Sequence, residues 1–173
     1  WIYKTALPGE IEDIFTKWGG DATFDSHLFG VTNNGGELRA FGAIGDGVTG
    51  DGGMTGGTAI SLNTWTHLAM TYNQADGMHK LYVNGVEAAS RLRPNGVFAA
   101  SANAYIGRED SGFGRYFNGL VDELAFYNRA LSQSEIQAIY NAGSAGKCSG
   151  QLTGNFSQKQ KIQPNTPVGS RGF

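Results

Sequence analysis

Four groups of residues in this chain have side chains suited to chemistry. The first is Asp122, in Phe117-Asn118-Gly119-Leu120-Val121-Asp122-Glu123-Leu124-Ala125-Phe126-Tyr127. Alternation reads residues 120–127 as a strand on which Leu120, Leu124 and Phe126 share one face with Asp122. A carboxylate among apolar neighbours is strongly unfavourable unless something pairs with it. A partner for Asp122 is therefore expected: a metal ion, backbone amides, or an arginine such as Arg108 or Arg129. Asp122 and Glu123 are adjacent, so on a strand they face opposite ways. They do not form the carboxylate pair that glycoside hydrolysis requires.

The second group is Glu10-Ile11-Glu12-Asp13, which follows a Pro8-Gly9 turn and reads as a charged strand start. The third is the glycine-rich run of residues 45–57. Asp46 and Asp51 within it suit calcium ligation, but one copy without a nonapeptide period reads better as a flexible surface loop. The fourth is Arg108-Glu109-Asp110-Ser111-Gly112-Phe113-Gly114-Arg115-Tyr116. Here Phe113 and Tyr116 beside Arg108, Asp110 and Arg115 supply the aromatic faces and polar groups that hold sugars. The same two aromatics serve equally as packing lids. Trp18, next to Gly19-Gly20-Asp21, is a further rim candidate. His27, His67 and His79 lack metal-ligand spacing and a G-x-S-x-G partner. Cys148 is the only cysteine, so no internal disulfide is possible, and a solvent-exposed thiol is expected.

Many short strands must position these groups. Strand signals fall at residues 1–5, 11–18, 27–32, 37–44, 66–72, 80–83, 86–90, 104–107 and 120–127. Asn33-Asn34-Gly35-Gly36 and Asn84-Gly85 read as hairpin turns, the second being a strong type I′ signal. One helix is convincing. Ser132 and Glu135 form a capping box, Leu131 and Ile136 sit at the staple positions, Ile136, Ile139 and Tyr140 make the apolar stripe, and Gly143 is the stop.

With 173 residues, 27 of them glycine and 4 proline, the chain suits one turn-rich domain. A net charge of -2 and no basic run beyond Lys159-Gln160-Lys161 argue against nucleic acid. No apolar stretch is long enough to span a bilayer. The start at Trp1 reads as a processed chain or a fragment. The fold class expected is all-β, a two-sheet antiparallel jelly-roll sandwich with one short C-terminal helix. It occupies residues 1–147, and residues 148–173 form a polar tail that is either a linker or an added strand.

Four ordered blocks carry a family resemblance. They are Trp65-Thr66-His67-Leu68-Ala69-Met70-Thr71-Tyr72, Lys80-Leu81-Tyr82-Val83-Asn84-Gly85, Tyr105-Ile106-Gly107-Arg108, and Phe117-Asn118-Gly119-Leu120-Val121-Asp122-Glu123 running into Arg129-Ala130-Leu131-Ser132. Together they resemble the laminin-G-like domains of the concanavalin A-like lectin and glucanase superfamily, of the bacterial extracellular type. The resemblance covers about residues 1–147. It implies a structural calcium held in part by Asp122, and a framework role for His67. It also implies an opening strand before Trp1, absent here, for which the tail at residues 151–162 is the one spare candidate in the chain. Laminarinases of the same fold carry E-x-D-x-E within one strand, an order that Glu10-Ile11-Glu12-Asp13 does not match, so no catalysis is expected.

The function expected is a non-catalytic binding or adhesion module, secreted or at the cell surface, recognising glycan or extracellular protein. Its ligand-binding residues would be Trp18, Arg108, Asp110, Phe113, Arg115 and Tyr116. The alternative is a structural subunit or spacer of a surface assembly, with the tail adding a strand to its own or a neighbouring sheet. A third reading is an accessory domain of a glycoside hydrolase.

Overall fold

Inward and outward residues alternate along two antiparallel sheets whose facing sides close over one core. The computed structural model describes residues 1–18, 26–47, 53–97, 99, 101–109 and 114–143. The elements are β1 (Ile2–Tyr3), β2 (Ile11–Lys17), β3 (His27–Asn34), β4 (Glu37–Ile44), β5 (Met54–Ile60), β6 (Leu68–Asn73), β7 (Met78–Val83), β8 (Val86–Leu92), β9 (Tyr105–Ile106), β10 (Leu120–Val121) and α1 (Gln133–Ala142). One layer runs β5-β4-β3-β2-β9 and the other β6-β7-β8. A β1–β10 ribbon joins the second layer through reciprocal 2.9 Å hydrogen bonds between the backbones of Ile2 and Thr66. Ile14, Val31, Leu38, Ala40 and Ile60 from the larger layer meet Ile2, Leu68, Leu81 and Val83 in the core between the sheets. The expected all-β antiparallel sandwich with one helix is the fold observed.

The hairpin turns form where the sequence places them. Asn84 and Gly85 both have positive φ, 50° and 79°, which is what a two-residue turn of the I′ hand requires between right-twisted strands. The helix start also matches. The Ser132 hydroxyl accepts the Glu135 N–H, and Glu135 reaches back to the Ser132 N–H at 2.8 Å. Arg129 clamps the same carboxylate at 2.6 and 2.9 Å. Ile136 is the buried residue of the helix, and Tyr140 stacks 5.9 Å from Trp1, which in turn packs edge-on to His67. The His67 carbonyl accepts the Asn84 N–H at 2.8 Å, and the His67 N–H donates to Asn84 Oδ1 at 3.0 Å.

Three expectations are corrected. Met54–Ile60 is a strand despite Gly56 and Gly57, because β4 offers an open ladder and the Gly56 position packs close to Ala40 and Ala88. Asp46 is buried, and its carboxylate is held by Asn95 at 2.9 Å with Arg93 at 3.6 Å; Asp51 lies outside the described residues. The strand expected over residues 120–127 is regular only at Leu120–Val121. Beyond it Leu124, Phe126 and Tyr127 are exposed, and Asp122 is exposed with them. Asp122 faces outward because its backbone N–H is taken by the Trp1 carbonyl at 2.9 Å, while its Oδ1 accepts the Glu123 N–H at 2.8 Å. Glu123 adopts a positive φ of 50°, which breaks the extended run. Arg129 is engaged by Glu135, and Arg108 lies over Tyr105, so neither serves as the partner proposed for Asp122. Cys148 and the tail at residues 148–173 lie outside the described residues.

Candidate functional site

The outward side of the five-stranded sheet carries the chemistry, and a β-bulge puts it there. β2 pairs with β3 as Asp13↔Gly30 and then Phe15↔Phe29, so Ile14 is the extra residue on the bulged strand. Ile14 enters the core between the sheets, and on either side of it Asp13 and Thr16 emerge on the same outer face. Gly30 is required opposite the bulge, where a Cβ would stand 2.2 Å from the Glu12 carbonyl oxygen. Asp13 is thus no charged strand start. It is fully buried, covered by the segment that returns from β9.

That segment is pinned at several points. The Asp13 N–H donates to the Arg115 carbonyl at 3.2 Å, and Asp13 bridges to Tyr116. The Gly107 N–H donates to Ile14 O at 2.9 Å, and the Thr16 hydroxyl donates to Arg108 O at 2.9 Å. Tyr105 stands opposite Thr16 on the outer face, with the Arg108 guanidinium 4.3 Å over its ring. Tyr116 is 63% exposed. Beneath this surface Trp18 packs with Leu28 and Ala43, flanked by Ile11 and Phe41.

Under the segment lie two carboxylates. Asp13 and the Glu109 side chain are both 0% exposed, and none of their four oxygens has a hydrogen-bond partner. Arg115 Nε approaches Glu109 Oε2 at 3.6 Å, an ion pair too long for a hydrogen bond. Burial, with the Glu109 charge adding to it and Arg115 opposing, pushes the Asp13 carboxyl up to about 7.

Of the expected ligand-binding residues, Arg115 reaches Glu109 and Tyr116 bridges to Asp13, while the Arg108 side chain lies over Tyr105. Asp110 and Phe113 lie outside the described residues. Trp18 is corrected: at 6% exposure it is a floor of the face and offers no open rim contact, because the alternation that carries Thr16 outward carries Trp18 into the cluster with Leu28. Asp13, Glu109 and Tyr105 were missed. A signal for Asp13 was present, since a glycine, Gly30, opposes it in the next strand. Reading it required knowing that the strand is bulged.

Elsewhere, His79 in β7 is 0% exposed and neither ring nitrogen has a hydrogen-bond partner; burial, with Arg93, holds its pKa down to about 4. A largely apolar cavity of about 410 Å³ opens between the layers beside the exposed residues 124–127, and Phe15, Phe29, Met70 and Phe126 are among its walls. Among the described residues no three acidic, histidine or cysteine side chains cluster to hold a metal, and no helix is long and apolar enough to cross a membrane.

Several known proteins share this architecture. A pentraxin of Limulus polyphemus, solved as a native heptamer, superposes with a TM-score of 0.65 at 16% identity, over 82% of this chain and 67% of that one. A putative carbohydrate-binding protein of Bacteroides ovatus gives 0.61 at 22% identity, over 79% and 38%. Domain 4 of AbnA, an extracellular arabinanase of Geobacillus stearothermophilus solved with arabinotriose, gives 0.57 at 26% identity, over 80% and 62%. The human adhesion G-protein coupled receptor D1 is 35% identical over 88 residues, which span 48% of this chain and 10% of the receptor. A laminin-G-type family model matches residues 1–137, and the chain therefore belongs to the concanavalin A-like lectin/glucanases superfamily.

Proposed function

We propose that this domain is a non-catalytic, extracellular glycan-binding module whose contact surface is the outer face around Tyr105, Arg108, Arg115 and Tyr116. The observation that carries the reading is the Tyr105–Arg108 stack on the same face of the sheet that exposes Tyr116. Aromatic faces pack on the apolar sides of pyranose and furanose rings, and guanidinium donors fix hydroxyl orientation. The likeness to the carbohydrate-binding protein and to the arabinotriose-bound domain supports it.

Catalysis is the rival reading, because a buried acid with a raised pKa is what a glycosidase uses as its proton donor. Asp13 and Glu109 are fully enclosed, however, and a general acid must reach the scissile oxygen. The test is a glycan microarray followed by calorimetry and a reducing-sugar assay on each binder. Binding without turnover, weakened at least tenfold in Tyr105→Ala and Tyr116→Ala, supports the module. Turnover lost in Asp13→Asn supports an enzyme.

A structural role is favoured by a different observation. Leu124, Phe126 and Tyr127 are exposed beside the cavity between the layers, a surface that an added strand would cover. In this reading the tail at residues 151–162 of the same or a neighbouring chain supplies that strand. Sedimentation of the chain with and without residues 149–173 tests it, and assemblies that persist after the deletion contradict it.

A further inference from the structure

We propose that the Asn34 amide is a site of spontaneous covalent modification, closing onto the Gly35 nitrogen, losing ammonia and taking up water. Asn-Gly steps suit this chemistry because glycine places no side chain beside its own backbone nitrogen. The chain has four such steps, at Asn34, Asn84, Asn95 and Asn118. The fold ranks them.

Ring closure needs two movements. The asparagine amide must turn toward the following nitrogen, and the peptide between the two residues must rotate. At Asn84 the first is blocked, since Oδ1 accepts the His67 N–H at 3.0 Å. Gly85 is also buried, with Gln137 2.8 Å from where a Cβ would stand. At Asn95 the nitrogen that must leave donates to Asp46 at 2.9 Å. At Asn118 the second movement is blocked. Its N–H donates to Glu12 at 2.9 Å, and its carbonyl accepts the buried Lys4 ammonium at 2.5 Å. Asn34 is different. It and Gly35 are exposed at the tip of the β3–β4 hairpin, and its side chain takes no hydrogen-bond partner among the described residues. Nothing lies within 4 Å of the Gly35 Cβ position. The last pair of a ladder at an exposed tip also opens most readily.

The atoms balance without an oxidant. Gly35 N gives up its proton and attacks Asn34 Cγ, the Cγ–N bond breaks, and ammonia leaves behind a five-membered succinimide. Water opens that ring at either carbonyl, which gives an aspartyl or an isoaspartyl residue at position 34. Both products place a negative charge across the ladder from Glu37, the cross-strand partner of Asn34, and facing like charges destabilise a hairpin. The isoaspartyl form also lengthens the backbone where β3 and β4, both interior strands of their sheet, are joined. The site lies apart from the glycan-binding face, so neither reading depends on the other.

The experiment ages the native chain in warm, mildly alkaline buffer beside the same chain in concentrated urea, and maps both by peptide mass spectrometry. In urea the four steps convert at comparable rates. In the native chain Asn34 converts about tenfold faster than any of the other three, and the aged protein melts below the fresh one. Asn34→Thr abolishes the new species and the loss of stability, whereas Lys4→Met, which releases the Asn118 carbonyl, speeds conversion at Asn118. Should Lys4→Met fail to fold, the comparison of native chain with urea still decides the matter. Conversion of the native chain at Asn84, Asn95 or Asn118 as fast as at Asn34 overturns the proposal. So does an Asn34 amide that stays intact in the native chain after the urea sample has converted.

Discussion

Asp13 donates its backbone N–H to the Arg115 carbonyl at 3.2 Å, while the Arg115 side chain turns toward Glu109 at 3.6 Å. One residue thus locks the covering segment to the bulged strand and supplies a positive charge to the buried acids. Everything proposed for the outer face depends on that join. It brings Tyr116 beside Asp13, and it seals the carboxylates away from any sugar that lies on the surface.

The bulge itself depends on Gly30. A Cβ at this position meets the Glu12 carbonyl at 2.2 Å, and backbone cannot swing aside as a side chain would. Gly30→Ala should cost at least ~1–3 kcal/mol and lower the melting temperature by several degrees, read by calorimetry. Equal melting of variant and native chain would show that the bulge tolerates a side chain.

Lys4 is 2% exposed and bonds both Glu12 and the Asn118 carbonyl at 2.5 Å, while the Asn118 N–H donates to Glu12 at 2.9 Å. Lys4→Met keeps the aliphatic stem and strands the Glu12 carboxylate. A loss of about 3 kcal/mol is expected in urea unfolding. Adding Glu12→Gln should restore part of it, and a double variant no better than the single would refute the coupling.

The helix was legible in full, because capping box, staple and stop are local signals that tertiary packing did not need to override. Ile136 is 1% exposed, so Ile136→Ala should cost about 2–4 kcal/mol, against about 1 kcal/mol for Ser132→Ala. Comparing the two variants by chemical denaturation checks the ranking, and reversed costs would mean that the helix is held by its cap more than by its packing.

Most strand positions, and the hairpin turns, were legible for the same reason. The site was read less well. The alternation of Leu120, Asp122, Leu124 and Phe126 suggested a buried acid, but the positive φ at Glu123 ends the ladder and leaves Asp122 in solvent. The acid that is buried, Asp13, sits beside a bulge, and a bulge reverses the parity on which such readings rest. Glu109 becomes buried only through the contact of its segment with β2, a pairing between distant parts of the chain that no local pattern encodes. Met54–Ile60 was missed because glycine content weighs against a strand, whereas the open edge of β4 favours one.

Two groups titrate in opposite senses below neutral pH. His79 has its pKa lowered to about 4 by burial, with Arg93, His27 and Arg91 adding to the effect; its contribution to stability is present above its ordinary value of 6.5 and is lost as pH falls from there toward 4. Asp13 has its pKa raised to about 7, with Glu109 raising and Arg115 lowering it, so in metal-free protein its contribution grows as pH falls from about 7 toward 3.8. The native chain in chelator should therefore show a shallow pH dependence of melting between about 6.5 and 4. Asp13→Asn should show a steep fall over the same interval, up to about 1.4 kcal/mol per pH unit. Parallel curves for the two proteins would mean that Asp13 does not hold its proton in the folded state.

The most direct test of the glycan-binding account is calorimetric titration of the native chain and Tyr105→Ala with the strongest binder from a glycan array. The account predicts saturable binding without hydrolysis by the native chain, and at least tenfold weaker binding by a Tyr105→Ala protein with unchanged melting temperature. Equal affinity of the two folded proteins would place the ligand elsewhere and contradict it.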